Sequence, residues 1–106
     1  MEVLFLGTGE ACDTRRCNTS VLIRSGSSSL LLDCGFTTCA NYFRLERPPS
    51  EPDLVWISHL HGDHFFGLPQ LLLHLYERRR TEPLHIVGGI PLESEVSKAM
   101  ELAYPG

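Results

Sequence analysis

Glu2 to Leu6 reads as a strand, and Asn18 to Arg24 alternates apolar and polar residues enough to form a second one. Ser25-Gly26-Ser27-Ser28 supplies hairpin-turn chemistry leading into a strand from Leu30 to Asp33. Phe36 to Glu46 reads as a short helix with Phe36, Ala40, Phe43 and Leu45 inward. Arg47-Pro48-Pro49-Ser50-Glu51-Pro52 must be an extended surface loop, because proline disfavours helical backbone before it. Asp53 to Ser58 is apolar, β-branched and aromatic, the pattern of a buried strand. Phe65 to Arg80 has helical spacing, with Pro69 suited to the first turn and Leu71, Leu72, Leu75 and Tyr76 facing the core. Leu84 to Val87 is a further strand, and Pro91 to Ala103 a last helix with Val96, Met100 and Ala103 on one face. Strands come first and then alternate with helices, so the class is α/β.

Chemistry concentrates where the Asp53–Ser58 strand ends. His59-Leu60-His61-Gly62-Asp63-His64 holds three imidazoles and a carboxylate in six positions. Open α/β sheets place their sites at the carboxyl ends of strands. On extended backbone His59 and His61 point the same way and can share one metal ion. Gly62 then allows a turn, so that Asp63 and His64 face a neighbouring position. Two such pairs suit two ions roughly 3.5–4 Å apart, the spacing that activates a water between them.

The pattern His-x-His-x-Asp-His, here His59, His61, Asp63 and His64, resembles the signature of the metallo-β-lactamase superfamily. Met1 to Gly9 looks like the opening strand and glycine turn of its ribonuclease Z-like branch, and Ser58 to Leu72 is similar to the metal loop and following helix of that branch. Leu30-Leu31-Leu32-Asp33-Cys34-Gly35 looks like the strand whose terminal Asp lies behind the metal-binding histidines, and Leu84 to Gly88 like the next strand. The resemblance implies the N-terminal half of an αββα sandwich. It also implies two zinc ions (manganese or iron(II) could take the same donors), with Asp33 supporting the histidines from behind. The superfamily's remaining ligands, a His, a bridging Asp and a further His, lie well downstream. His74 and His85 are not placed like them. Residues 1–106 are therefore expected to be the N-terminal half of a longer domain, since a free-standing half would leave an open sheet edge and an underfilled core.

Composition narrows the class further. The 42% hydrophobic content is that of a globular chain, and no apolar run is long enough to cross a bilayer. The opening residues lack a basic leader segment, which points to the cytoplasm. Cys12 and Cys17 have four residues between them, as do Cys34 and Cys39, with sixteen between the pairs. This lacks the two-residue gap of most zinc knuckles; buried apolar roles suit Cys34 and Cys39 better. Gly7-Thr8-Gly9 is no dinucleotide fingerprint and reads as a tight turn bringing backbone close to the metal loop. Arg78-Arg79-Arg80 reads as a solvated helix end, and Arg15-Arg16 as the better phosphate contact. A net charge of −4 offers no broad basic surface for nucleic acid.

The expected chemistry is metal-assisted hydrolysis by a metal-bridged hydroxide, with Asp63 as the catalytic carboxylate that orients the water or takes its proton. The resemblance favours a phosphodiester, either a small one or RNA as in tRNA 3′-end cleavage, and leaves a homodimer open. The branch's usual Asp-Cys-Gly-Glu-Gly-Thr-Gln reads Asp33 to Cys39 here with Phe36 in place of Glu, and its Pro-x-Lys-x-Arg-Asn loop is replaced by Asp13 to Asn18. The competing readings are ester, lactone or thioester hydrolysis on the same metals, and a non-catalytic metal- or partner-binding module.

Overall fold

The computed structural model describes residues 1–106. Five strands lie side by side in sequence order: β1 (Glu2–Gly7), β2 (Ser20–Ser25), β3 (Ser28–Leu32), β4 (Leu54–Ile57) and β5 (His85–Gly88). The first three form an antiparallel meander, turned between β2 and β3 at Gly26, whose φ of 60° needs no Cβ to be avoided. β3, β4 and β5 are parallel, so helices must carry the chain back between them. Helix α1 (Thr38–Arg44) serves the first crossover. A single helical turn α2 (Gly62–Phe65) and helix α3 (Leu68–Glu77) serve the second, and α4 (Leu92–Ala103) follows β5. None of these helices is long and apolar enough to cross a membrane.

The core lies between one face of the sheet and the helices. Leu6, Leu22, Leu31, Val55 and Ile57 point inward from the strands and meet Cys39 and Tyr42 of α1, Leu68, Leu71 and Leu75 of α3, and Leu92 of α4. The inward stripe of α1 is thus Cys39 and Tyr42. Phe36 precedes the helix and is 54% exposed, and Ala40 faces solvent, so neither holds the expected core position. Tyr76 is exposed for the same geometric reason: it lies about 100° round α3 from Leu75. On α4 the packed side is Leu92, Val96 and Ala99, while Ala103 is exposed.

The strand containing Val55 is buried on one side alone. Its outward residue Trp56 shares a face with Leu32 and Val87, and the register continues that face through Leu30, Val21 and Ile23 to Val3 and Phe5. Phe5 is 70% exposed and Trp56 42%. A nearly all-apolar sheet face therefore has no second layer over it.

Polar groups fix the loops. Arg80 is not a free helix end: its guanidinium donates to the carbonyl oxygens of Pro52, Glu82 and Pro83 at 2.7–2.8 Å and of Pro49 at 3.3 Å, bracing the proline-rich loop. In that loop Arg47 Nε donates to Glu51 Oε2 at 2.7 Å, with Arg24 Nε 3.4 Å from Oε1. The Arg47 hydrogen bond, aided by both positive charges, holds the Glu51 carboxyl below its ordinary value of 4.5. A carboxyl lowered on folding stabilises the native state above its unfolded pKa, and that gain is lost as pH falls through the folded value. Glu51→Gln is expected to cost about 0.5–1 kcal/mol at neutral pH in urea unfolding, and to cost nothing once both proteins are well below pH 4. An equal cost at both pH values would mean that packing, not charge, holds the loop.

Candidate metal centre

Asp33 and Ser58 meet because β3 and β4 are adjacent parallel strands that end together. The Asp33 N–H donates to Trp56 O at 2.8 Å, and Asp33 adopts a left-handed backbone (φ 65°), which Asp tolerates better than most residues. That turn aims a nearly buried carboxylate across the strand ends. Oδ1 accepts the Ser58 N–H at 2.7 Å. Oδ2 accepts the Ser58 hydroxyl and lies against His64 Nδ1, each at 2.7 Å.

These bonds order two imidazoles. A carboxylate can only accept, so His64 carries a proton on Nδ1 and turns Nε2 outward, toward Asp63. Ser58 has given its one proton to Asp33, so its oxygen accepts from His59 Nδ1 at 2.9 Å, leaving the His59 Nε2 lone pair free. Ser58 was not legible as a site residue; its signal was a hydroxyl at the strand end directly before His59.

His61, extended at φ −66° and ψ 145°, caps α2 and brings its ring to 4.7 Å from that of His59, centroid to centroid. The His59 and His64 rings are 4.2 Å apart. Asp63 Oδ2 lies 3.2 Å from His64 Nε2. The four side chains thus form one cluster, but they do not converge on one cleft. A cleft of about 430 Å³ beneath Gly89–Leu92 is lined by His59 and His61, without Asp63 or His64. No three donors are arranged to hold a single ion.

The donors nevertheless fit zinc chemically. They offer imidazole nitrogens, with the other ring position engaged in His59 and His64, and a carboxylate oxygen 3.2 Å from His64 Nε2, a contact that an intervening cation would bridge.

Glycines let the loops close on one another. A Cβ on Gly35 would overlap the Asp63 carbonyl, and one on Gly62 would overlap the Phe36 ring. A side chain at position 62 would therefore displace the Phe36 ring; the φ of Gly62 is not positive. Backbone bonds from Cys34 N to His64 O and from Gly67 N to Cys34 O, both 2.9 Å, complete the tie. Gly7 and Gly9 make their close approach to the backbone of residues 16–18 and not to the histidines.

Arg15 and Arg16 sit exposed on the β1–β2 loop, where their N–H groups donate to Asp13 Oδ1 at 2.8 and 2.7 Å. No hydrogen bond or ion pair joins either guanidinium to the cluster. The cysteines are all free and no three gather; Cys34 and Cys39 lie side by side in the core, and the Cys39 side chain together with burial raises the Cys34 thiol pKa. His74 stacks on Phe43 at 4.1 Å, where burial lowers its pKa, and His85 lies exposed on β5.

Comparison with known proteins agrees with this architecture. Human tRNase Z, short form (ELAC1), superposes with a TM-score of 0.86 at 34% identity, over 100% of this chain and 42% of that one. The metallo-β-lactamase fold protein YhfI of Bacillus subtilis gives 0.73 at 26% identity, over 91% and 41%. Ribonuclease Z of Methanococcus aeolicus is 35% identical over 105 residues, which are 98% of this chain and 33% of that protein. The chain therefore spans about a third of the length of the curated relatives it matches. The family model described as Anti-Pycsar protein Apyc1 matches residues 1–95. The chain belongs to that family, within the ribonuclease Z-like branch of the metallo-β-lactamase superfamily.

Proposed function

We propose that this chain carries half of the active site of a zinc-dependent phosphodiesterase, with two zinc ions held by His59, His61, Asp63 and His64 and the remaining donors supplied from outside residues 1–106. The observation that carries the reading is the Asp33–Ser58 arrangement, which engages Nδ1 of both His59 and His64 and turns their Nε2 atoms outward on neighbouring rings, that of His64 beside Asp63. Such outer partners fix ring orientation and raise donor basicity. The chemistry supplied by a bound zinc pair is Lewis acidity, which makes water acidic near neutral pH.

The chain's own residues do the rest. Asp63 is placed to orient the attacking water or accept its proton, because Asp33 already accepts three hydrogen bonds. The exposed Arg15 and Arg16 are available to a phosphate. The names of the relatives, ribonuclease Z and zinc phosphodiesterase, favour a phosphodiester of the RNA type and use of zinc, and a cytoplasmic location suits that work.

The test uses the full-length protein. About two zinc ions per chain are expected by elemental analysis, with hydrolysis of a bis-aryl phosphodiester exceeding that of an aryl ester or lactone. Asp33→Ala is expected to weaken zinc binding about 10–100-fold. Faster ester or lactone turnover would overturn the substrate class, and unchanged zinc affinity in Asp33→Ala would overturn the assigned role of that carboxylate.

A further inference from the structure

Two aromatic rings stand beside the metal loop without belonging to the core. Phe36 and Phe66 are 54% and 55% exposed and meet edge to face, centroids 5.7 Å apart at 74°. Two adjacent exposed rings offer a π-surface on which a planar group can stack. Here both rings are held in place. The Phe36 ring occupies the space that a side chain at position 62 would fill, between His61 and Asp63. Phe66 directly follows the α2 turn that carries Asp63 and His64, and packs at 5.6 Å on Phe65, which is 2% exposed. Their positions relative to the donors are therefore set by the same backbone that sets the donors.

The β1–β2 loop, which carries Arg15 and Arg16 together with Glu10 and Asp13, is tied to this end of the site. Thr37, next to Phe36, exchanges hydrogen bonds with Asn18: the Asn18 N–H donates to Thr37 Oγ1 at 2.8 Å and the Thr37 N–H to Asn18 Oδ1 at 3.3 Å. That pairing anchors the end of the loop bearing Arg15 and Arg16 beside the aromatic pair. A planar π-surface, the two guanidinium groups of a loop that also carries Glu10 and Asp13, and the imidazole–carboxylate cluster within one short span suit a ligand that joins an aromatic ring to a phosphate.

We propose that Phe36 and Phe66 form the stacking platform for the nucleobase next to the scissile phosphodiester. The proposal rests on the phosphodiesterase reading above and adds the chemistry that the substrate must carry. Every base has a π-face, so the platform selects for a base without selecting strongly among bases. The base can belong to an RNA strand or to a mononucleotide ester.

Two substrates with the same leaving group separate base recognition from bond cleavage: thymidine 5′-(p-nitrophenyl phosphate) and methyl p-nitrophenyl phosphate. In the full-length protein, F36L and F66L keep an apolar side chain but lose the ring. The ratio of kcat/KM for the thymidine ester over the methyl ester is expected to fall about 5- to 150-fold in each, the loss seen when a stacking aromatic is truncated. F36Y, which retains the ring, should keep the ratio within about twofold of the parent. A short RNA assayed in parallel shows whether a strand or a mononucleotide makes fuller use of the platform. An unchanged ratio in both leucine variants would overturn the proposal, as would rings found shielded from solvent in the intact protein. If the parent hydrolyses neither ester, the phosphodiesterase reading fails separately, and the platform is then judged by binding. Cross-relaxation between the H6 proton of thymidine 5′-monophosphate and the Phe36 and Phe66 ring protons would support it, and its absence would sink it.

Discussion

Asp63→Ala in the intact protein is expected to lower kcat about 10²–10⁴-fold, the range associated with losing a positioned proton acceptor, with the fold unchanged by circular dichroism. The size of the effect follows from the scarcity of carboxylates at the site. Asp33, the other one nearby, is committed on both oxygens to Ser58 and His64. Asp63 alone presents an oxygen on the open side of the rings, 3.2 Å from His64 Nε2. Metal loss and proton-transfer loss can be separated by assaying the variant at saturating zinc. A kcat within about tenfold of the parent under those conditions would remove Asp63 from the catalytic role.

Leu31→Ala is expected to destabilise the protein by about 2–5 kcal/mol, measured by urea unfolding. Leu31 is fully buried in the middle strand, between Leu22 on one side and Val55 on the other. Its neighbours belong to a rigid sheet that cannot collapse into the space left, so the cavity term is added to the lost transfer energy. Against a total stability of about 5–15 kcal/mol, such a loss leaves a marginal protein. A cost below about 1 kcal/mol would show that the helical face of the sheet is not where the stability lies.

The elements were legible because each had an unambiguous period or punctuation. Ser25-Gly26, the run of prolines from Pro48 to Pro52, and the apolar strand before His59 left little room for another reading. Which side of an element is covered was less so. Trp56 reads as core by residue type, and Phe36 by its place in a helical count, yet both are exposed. Type and period specify a face without saying whether anything packs on it. At the site, the ligand-type residues were visible as a motif, whereas Ser58 and the Phe36–Phe66 pair were not. Their roles depend on contacts between segments about 25 to 30 residues apart, such as Asp33 with Ser58 and Phe36 with Gly62.

The uncovered sheet face carries a kinetic consequence. Val3, Phe5, Val21, Ile23, Leu30 and Leu32 all belong to the hairpin meander, whose contacts are local in sequence and so form early. The pairing that assembles this surface involves residues 2–32 alone and needs nothing from the His59–His64 loop. A nascent chain with this pairing alone displays a flat apolar ribbon with unpaired strand edges, the kind of intermediate that aggregates or engages chaperones. Slower expression at lower temperature is therefore expected to raise the soluble yield of this segment.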